Sequence, residues 1–177
     1  MREIGTSSFS GCELLADITL PEELQKIGNN AFSGCGISNT ERIFKIEIPD
    51  SVTEIGGGAF MNTSISSVSL PSQITRIEEY TFADCNNLRS MRLHEGVEYI
   101  GDYAFNKCGS LKYIQIPKTI TQIGYCATYQ NAALTDVYYT GTKEQWKKID
   151  IDETWFTSVY DPVSGEHNCS KAPIIYN

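Results

Sequence analysis

A unit related to Ile-Gly-x-x-x-Phe returns along the chain with its first residue at Ile4, Ile27, Ile55, Ile77, Ile100 and Ile123, so successive units lie 23, 28, 22, 23 and 23 residues apart. One such unit is too short to bury its own apolar residues, whereas a stack of units buries a continuous core. The spacing therefore predicts a solenoid of stacked coils rather than a globule built around one pocket.

The fifth unit shows the pattern most fully. Ile100 is followed by Phe105, Cys108, Leu111, Ile114 and Ile116, and Pro117 closes the coil. Ile4, Phe9, Cys12, Leu15, Ile18 and Leu20 repeat it in the first coil, and Ile77, Phe82, Cys85, Leu88, Met91 and Leu93 in the fourth. The second coil carries an insertion at Ser38–Arg42 and resumes with Ile43, Ile46 and Ile48, while the third is one residue short and runs from Phe60 to Ile65, Val68 and Leu70. Both length changes fall between Phe and the aliphatic run, which places a surface loop there. The run Leu-x-x-Ile-x-Leu is too short for a helix and alternates at its end, as a half-buried strand does. Pro21, Pro49, Pro71 and Pro117 lack an amide donor and end the strand. Parallel stacking of such strands at about 4.8 Å predicts one sheet about 25 Å long across six coils. The phenylalanines then form an internal ladder. Glu78 replaces the glycine that follows Ile in the other coils. That position is therefore read as close packing or a loose turn, not as a left-handed residue that only glycine tolerates.

The pattern x-x-Ile-Gly-x-x-Ala-Phe-x-x-Cys-x-x-Leu-x-x-Ile-x-Leu-Pro, which residues 2–139 carry, resembles the BspA-like (Treponema-type) leucine-rich repeat. Tyr138–Trp146 and Ile174–Asn177 resemble the segment that closes such arrays, so the chain looks like the C-terminal part of one. The resemblance implies a leucine-rich-repeat solenoid with a parallel β-sheet, irregular or 3-10 turns and a C-terminal cap. It also implies a secreted or surface-attached protein of host-associated bacteria or protozoan parasites that adheres to host proteins or other microbes. Coil six departs from the pattern, with Thr128 at the Phe position and Asn131 at the Cys position, and His94 stands for proline in coil four.

At 177 residues the chain reads as a single domain, with repeats over about 2–139 and a cap over about 140–177. A net charge of −8 argues against nucleic acid or an anionic membrane as partner. No run of eighteen apolar residues is present for membrane insertion, and no signal peptide is visible. Met1 directly precedes the first unit, which leaves Phe9, Ile18 and Leu20 of coil one uncovered. The expectation is that the chain is a C-terminal piece of a longer protein, or that the open coil self-associates through its apolar edge.

Four of the six cysteines, Cys12, Cys35, Cys85 and Cys108, share one repeat position and read as an unpaired, buried thiol ladder. Their spacing does not suit a metal site. Cys126 and Cys169 lie outside that ladder, and a disulfide between them is an open alternative. A Cys169/His167 nucleophile pair lacks an orienting third group, and no cofactor-binding motif occurs. The reading is therefore non-catalytic. In the tail, Lys143–Ile149 reads as a short helix with Thr142 as N-cap, and Ile174–Tyr176 as a closing strand. Trp146, Ile149, Trp155 and Phe156 supply apolar cover for the last coil, with a ligand site on Trp155 and Phe156 as an alternative.

Function is sought on the three x positions of Leu-x-x-Ile-x-Leu, read as facing outward. They hold four basic residues (Lys45, Arg89, Arg92, Lys112) and three acidic ones (Asp17, Glu47, Asp136), about +1 on a chain of −8. Phe44 falls among these outward positions. Arg and Tyr most often anchor interfaces. Lys45, Arg89, Arg92, Lys112, Tyr113 and Tyr138 are thus the candidate binding residues, for a protein or glycan on a host or neighbouring cell. The competing reading is a structural spacer that presents another domain.

Overall fold

The computed structural model describes residues 1–39, 43–155, 158–160, 167–169 and 174–176. Each coil carries a short strand at its leading Ile, and every coil but the third carries another on the aliphatic run; paired strands of neighbouring coils are parallel. At the first place, β1 (Glu3–Ile4), β3 (Lys26–Ile27) and β5 (Glu54–Ile55) form one sheet, and β6 (Arg76–Ile77), β8 (Tyr99–Ile100), β10 (Gln122–Ile123) and β12 (Asp150–Ile151) form another. At the second, β2 (Asp17–Ile18) pairs with β4 (Lys45–Ile46). Beyond them β7 (Ser90–Arg92), β9 (Tyr113–Ile116), β11 (Asp136–Tyr139) and β15 (Ile174–Tyr176) make a four-stranded sheet. The segment Ile65–Leu70 of coil three forms no strand. The single 25 Å sheet expected from the repeat is thus divided at coil three, which is one residue too short to keep register.

The residue after each Ile explains the break in the first ladder. The amides of Gly28, Gly56, Gly101 and Gly124 donate to the Ile carbonyl one coil earlier at 2.8–2.9 Å. A Cβ on Gly101 would lie 2.7 Å from the backbone nitrogen of Glu79, and one on Gly28 2.7 Å from that of Thr6. This position is close-packed, and its φ is not left-handed. Glu78 carries a Cβ at the same place, and the strand before it, β6, does not pair with β5.

The left-handed residues lie elsewhere. Three residues after each Ile, Ser7, Asn30, Gly58, Tyr80, Tyr103 and Cys126 have φ between 49° and 64°; seven after it, Gly11, Gly34, Asn62, Asp84, Lys107 and Gln130 have φ between 53° and 75°. These two kinks turn the amides at Ile+3, Ile+5 and Ile+7 toward the next coil. Ser7 donates to Asn29, Phe9 to Ala31 and Gly11 to Ser33, and the same triplet recurs at 2.7–3.0 Å up to Tyr103→Tyr125, Phe105→Ala127 and Lys107→Tyr129. The turn ladder also crosses the break in the strands, through Gly58→Glu79, Phe60→Thr81 and Asn62→Ala83.

Inside this ladder the phenylalanines stack. Ring centroids of Phe9, Phe32, Phe60, Phe82 and Phe105 follow one another at 5.2–5.6 Å with planes within 6°. The last four are fully buried. Beside them, the thiols of Cys35, Cys85 and Cys108 contact the carbonyl oxygens of Phe9, Phe60 and Phe82 at 3.0–3.2 Å as donors. In coil six Asn131 takes over this role. Its side-chain amide donates to Phe105 O at 3.0 Å while its carbonyl accepts from Cys108 N at 2.7 Å. Cys12, Cys35, Cys85, Cys108 and Cys126 are free thiols, and Cys126 Sγ lies 3.6 Å from Thr154 Oγ1. The side chain of Cys169 lies outside the described residues.

Two expectations about individual side chains are corrected. In coil two Phe44, expected outside, is 1% exposed and packs against Phe32, while Ile43, expected in the core, is 42% exposed. The inserted loop shifts the chain by one position, and the larger ring takes the core site. In coil one Phe9 and Ile18 are half-buried, but Leu20 is buried within the core cluster that includes Leu24 and Ile46. Met1 and Leu14 are instead the strongly exposed apolar residues there, at 75% and 73%.

The tail continues both ladders and so closes the stack. α1 (Lys143–Trp146) is a single turn with a complete capping box between Thr142 and Gln145. Trp146 is buried edge-on against Tyr139, centroids 5.0 Å apart, and Trp155 lies 5.6 Å beyond it. Thr128, at the lost Phe position, donates through its amide and hydroxyl to Trp155 O, both at 2.8 Å. β13 (Ser158–Tyr160) and β14 (His167–Cys169) form an antiparallel pair. Phe156 lies outside the described residues.

Phe82→Ala is expected to destabilise the fold by about 3–5 kcal/mol, and the half-buried Phe9→Ala by less, read by urea denaturation. Gly101→Ala should cost about 1–3 kcal/mol because its methyl meets backbone. Gly5→Ala, whose methyl would meet only Ser8 Oγ at 3.4 Å, should fall within about 0.5 kcal/mol of wild type.

Burial pushes the thiols of Cys35 and Cys85 up to about 11 from an ordinary 9.0. A raised folded-state pKa favours folding fully below pH 9, and that contribution is lost as pH rises toward 11. The urea midpoint should therefore be insensitive to these thiols up to pH 9 and decline between pH 9 and 11, less steeply in Cys85→Ala. Native alkylation at pH 8 should modify exposed Cys12 and leave the peptides of Cys35, Cys85 and Cys108 unmodified until denaturant is added.

Candidate functional site

The outward side chains of β7, β9 and β11 come together because register is strict in these strands. Ser90 pairs with Tyr113, which pairs with Asp136; Arg92 pairs with Gln115, which pairs with Tyr138. Met91, Ile114 and Val137, between these two columns, point inward and are buried. Alternation along the strand thus anchors one face and presents the other.

Arg92 lies with its guanidinium carbon 5.7 Å from the centroid of Tyr113, and Tyr138 meets Tyr113 edge-on at 6.0 Å. A hydrogen bond to Ser90 and then the neighbouring Arg92 hold the Tyr113 phenol below its ordinary range. Arg89 and Lys112 flank the group one residue before these columns. Lys112 N donates to Arg89 O at 2.9 Å, and both side chains are exposed. Of the six residues singled out from the sequence, Arg92, Tyr113 and Tyr138 therefore lie on one sheet, and Arg89 and Lys112 stand one residue before its strands β7 and β9.

Lys45 does not join them. It lies on β4, opposite Asp17 of β2, in the separate two-stranded sheet beyond the coil-three break. Glu47 is two residues on. This end of the face carries Asp17, Glu47 and Lys45, a net −1, and the other end carries Arg89, Arg92, Lys112 and Asp136, a net +2. A groove of about 660 Å³ runs beside Asp17, Lys45 and Glu47, and one of about 390 Å³ lies in the crease between Glu47 and Ser67. The outward face is thus dipolar, acidic at coils one and two and basic from coil four onward.

A second aromatic group was not singled out from the sequence. Tyr80, Tyr103 and Tyr125 crowd together in the turns, and Arg76 lies over Tyr99 with its guanidinium carbon 3.8 Å from the ring centroid. Tyrosine three residues after Ile in coils four and five was the only sequence signal for it.

Among the described residues no group of three or more His, Cys, Asp or Glu side chains is placed to hold a metal ion, and no helix is long and apolar enough to cross a membrane. What both tyrosine groups offer is recognition chemistry: aromatic faces, guanidinium donors and carboxylates.

A family model for the BspA type leucine-rich repeat region matches residues 2–135 in six copies. Solved structures agree. A leucine-rich cell surface protein from Faecalibacterium prausnitzii A2-165 is 28% identical with a TM-score of 0.61, over 85% of this chain and 54% of that one. The T. pallidum leucine-rich repeat protein is 26% identical with a TM-score of 0.68, over 77% and 62%. A leucine-rich repeat protein from Bacteroides ovatus ATCC 8483 is 30% identical with a TM-score of 0.62, over 99% and 47%. The matched region spans 47–62% of these relatives' lengths. No functionally curated protein matches. Six copies of the repeat, a Phe position kept in five of them and this likeness to solved repeat proteins establish that the chain belongs to the BspA-type leucine-rich repeat family.

Proposed function

We propose that the chain is a non-catalytic protein-binding and adhesion module of a secreted or cell-surface protein of a host-associated microbe, and that its 177 residues act as one domain. Its repeats supply the binding face and the segment from about residue 140 onward closes the stack. The cell-surface description of the F. prausnitzii relative supports this placement. Leucine-rich repeat proteins of this family typically mediate protein interactions, which supports the class of function.

The observation that carries the reading is the contact group Arg92–Tyr113–Tyr138 on three hydrogen-bonded strands, flanked by Arg89 and Lys112. Guanidinium and phenol groups fixed on rigid strands lose little side-chain freedom on binding, and they are the types that dominate interface energetics. The partner's matching segment is acidic, a carboxylate-rich stretch of protein or an anionic glycan. Lys45 contributes less, because the coil-three crease separates it from the group.

A glutamate-rich peptide and a sulfated glycan, each beside a neutral counterpart, serve as probes in titration calorimetry. Joint Arg89→Glu and Arg92→Glu should weaken the acidic probe by about tenfold or more. Lys45→Glu should have a smaller effect. Unchanged affinity in the double variant, or no preference for acidic probes, would favour a spacer over a binding module.

A further inference from the structure

The turn side of coils four to six holds an arrangement that the sheet-face reading does not use. Tyr80 and Tyr103 are stacked, ring centroids 4.9 Å apart and planes 11° from parallel. Tyr125 meets Tyr103 edge-on at 5.3 Å. Tyr80 and Tyr125 are 42% and 44% exposed.

Both stacked tyrosines occupy the left-handed position three residues after Ile, with φ of 57° and 56°. The same position holds Ser, Asn, Gly or Cys in the other coils. A bulky aromatic residue is disfavoured in that region of backbone space, and such outliers cluster at binding sites. Two successive coils carry this strain, and its result is a solvent-facing pair of rings.

The charge around the rings has one dominant sign. Glu78, Glu79 and Asp102 stand among them, against one guanidinium, Arg76. Burial, and then Tyr103, Asp102 and Glu79, hold the Tyr80 phenol above its ordinary range, which places those groups close to it. Asp102 Oδ1 accepts the Tyr125 amide at 2.8 Å, and Glu79 stays exposed. Arg76 shows what such a surface recognises. Its guanidinium covers the face of Tyr99, while its Nε donates to Glu78 Oε1 at 2.9 Å. The column also ends in a notch. Gly58 has no side chain at the position that Tyr80 and Tyr103 fill, and an open cleft of about 290 Å³ lies there between Asn30, Met61, Glu79 and Tyr80.

We propose that this acidic tyrosine ladder is a second interaction surface, and that it binds an extended, arginine-bearing peptide segment of a partner protein. Guanidinium groups of the segment lie on the exposed faces of Tyr80 and Tyr125, as Arg76 lies on Tyr99. Glu79 and Asp102 neutralise them, and the notch over Gly58 receives a side chain at one end. Arginine is favoured over lysine because its flat cation stacks on a ring and reaches a carboxylate together. The sheet face selects negative charge and this surface selects positive charge, so the two are independent.

The test uses the full chain and an acetylated hexa-arginine peptide, with hexa-lysine, a Gly-Ser peptide and cellohexaose as comparators. Tyr80→Asn with Tyr103→Asn leaves net charge unchanged and installs the residue that coil two already carries at this position. Arginine peptide should bind more tightly than lysine peptide, and the double variant should lose about tenfold in affinity. Its thermal midpoint should stay level or rise, which separates lost recognition from lost fold. Glu79→Gln should weaken binding several-fold, and Arg89→Glu with Arg92→Glu should not weaken it. Equal affinity of wild type and the tyrosine variant would reduce the interaction to general attraction for an acidic chain and overturn the proposal. Tyrosine-dependent binding of cellohexaose without binding of the arginine peptide would overturn it in favour of glycan stacking.

Discussion

Everything in this fold hangs on the turn ladder, the set of backbone amides at Ile+3, Ile+5 and Ile+7 that donate to the following coil. The strands alone do not hold the array together. The first ladder stops between β5 and β6, and the second has no strand in coil three. Across that gap the amides of Gly58, Phe60 and Asn62 still reach coil four at 2.7–2.9 Å, and Phe60 still stacks on Phe82 at 5.5 Å. Each coil is joined to the next by directional bonds on the outside of the turn and, from coil one to coil five, by ring contact just inside it. Where strand pairing fails, these two terms keep the axial spacing.

This division decides which sequence changes the array absorbs. An insertion in coil two and a deletion in coil three both fall after the turn ladder has closed, in the segment leading to the second strand. They disturb the outward face and leave the Phe stack in register. The cysteine position is more constrained than an ordinary apolar site, because its thiol also donates to a Phe carbonyl one coil earlier. Asn131 meets that demand through its amide. Thr63, at the same position in coil three, donates to its own coil's Phe60 O at 3.0 Å and contacts Cys85 Sγ at 3.3 Å. Hydrogen-bonding capacity in a buried place, rather than volume alone, unites the three residue types.

Much of this was legible in the residues. The period, the Phe stack, the free thiols and the capping helix follow from spacing and side-chain type. The strands at each leading Ile (β1, β3, β5, β6, β8, β10 and β12) were not legible, because elements of two residues have no measurable alternation. The left-handed positions were hidden for a related reason. Glycine marks the close-packed residue after Ile, while the positive-φ sites of the turns carry Gly in only three of twelve places and otherwise Ser, Asn, Asp, Lys, Gln, Cys and Tyr, which share no chemical signature. Phe44 was misplaced because an insertion just before it breaks the count, and only packing decides whether it or Ile43 turns inward. On the candidate face, columns could be read from the repeat, but the exclusion of Lys45 depends on strand pairing that fails in coil three.

A solenoid of this kind separates the residues that make it fold from those that face solvent, and does so coil by coil. Ile, Phe, Cys and the aliphatics of each coil serve the interior. The residues between them are free to differ, and here they differ by location. Arg89, Arg92 and Lys112 gather on the outward sheet of the later coils, and Glu78, Glu79 and Asp102 gather in the turns of coils four and five, beside tyrosines in both places. Random placement of fourteen cations and twenty-two anions would mix the signs around each coil. Sorting them to different sides costs self-repulsion within each patch. The interior has no use for that arrangement. The two surfaces proposed above would use it, and the strained backbone beneath Tyr80 and Tyr103 is consistent with that proposal, since Ser, Asn, Gly and Cys keep the same turn in the neighbouring coils.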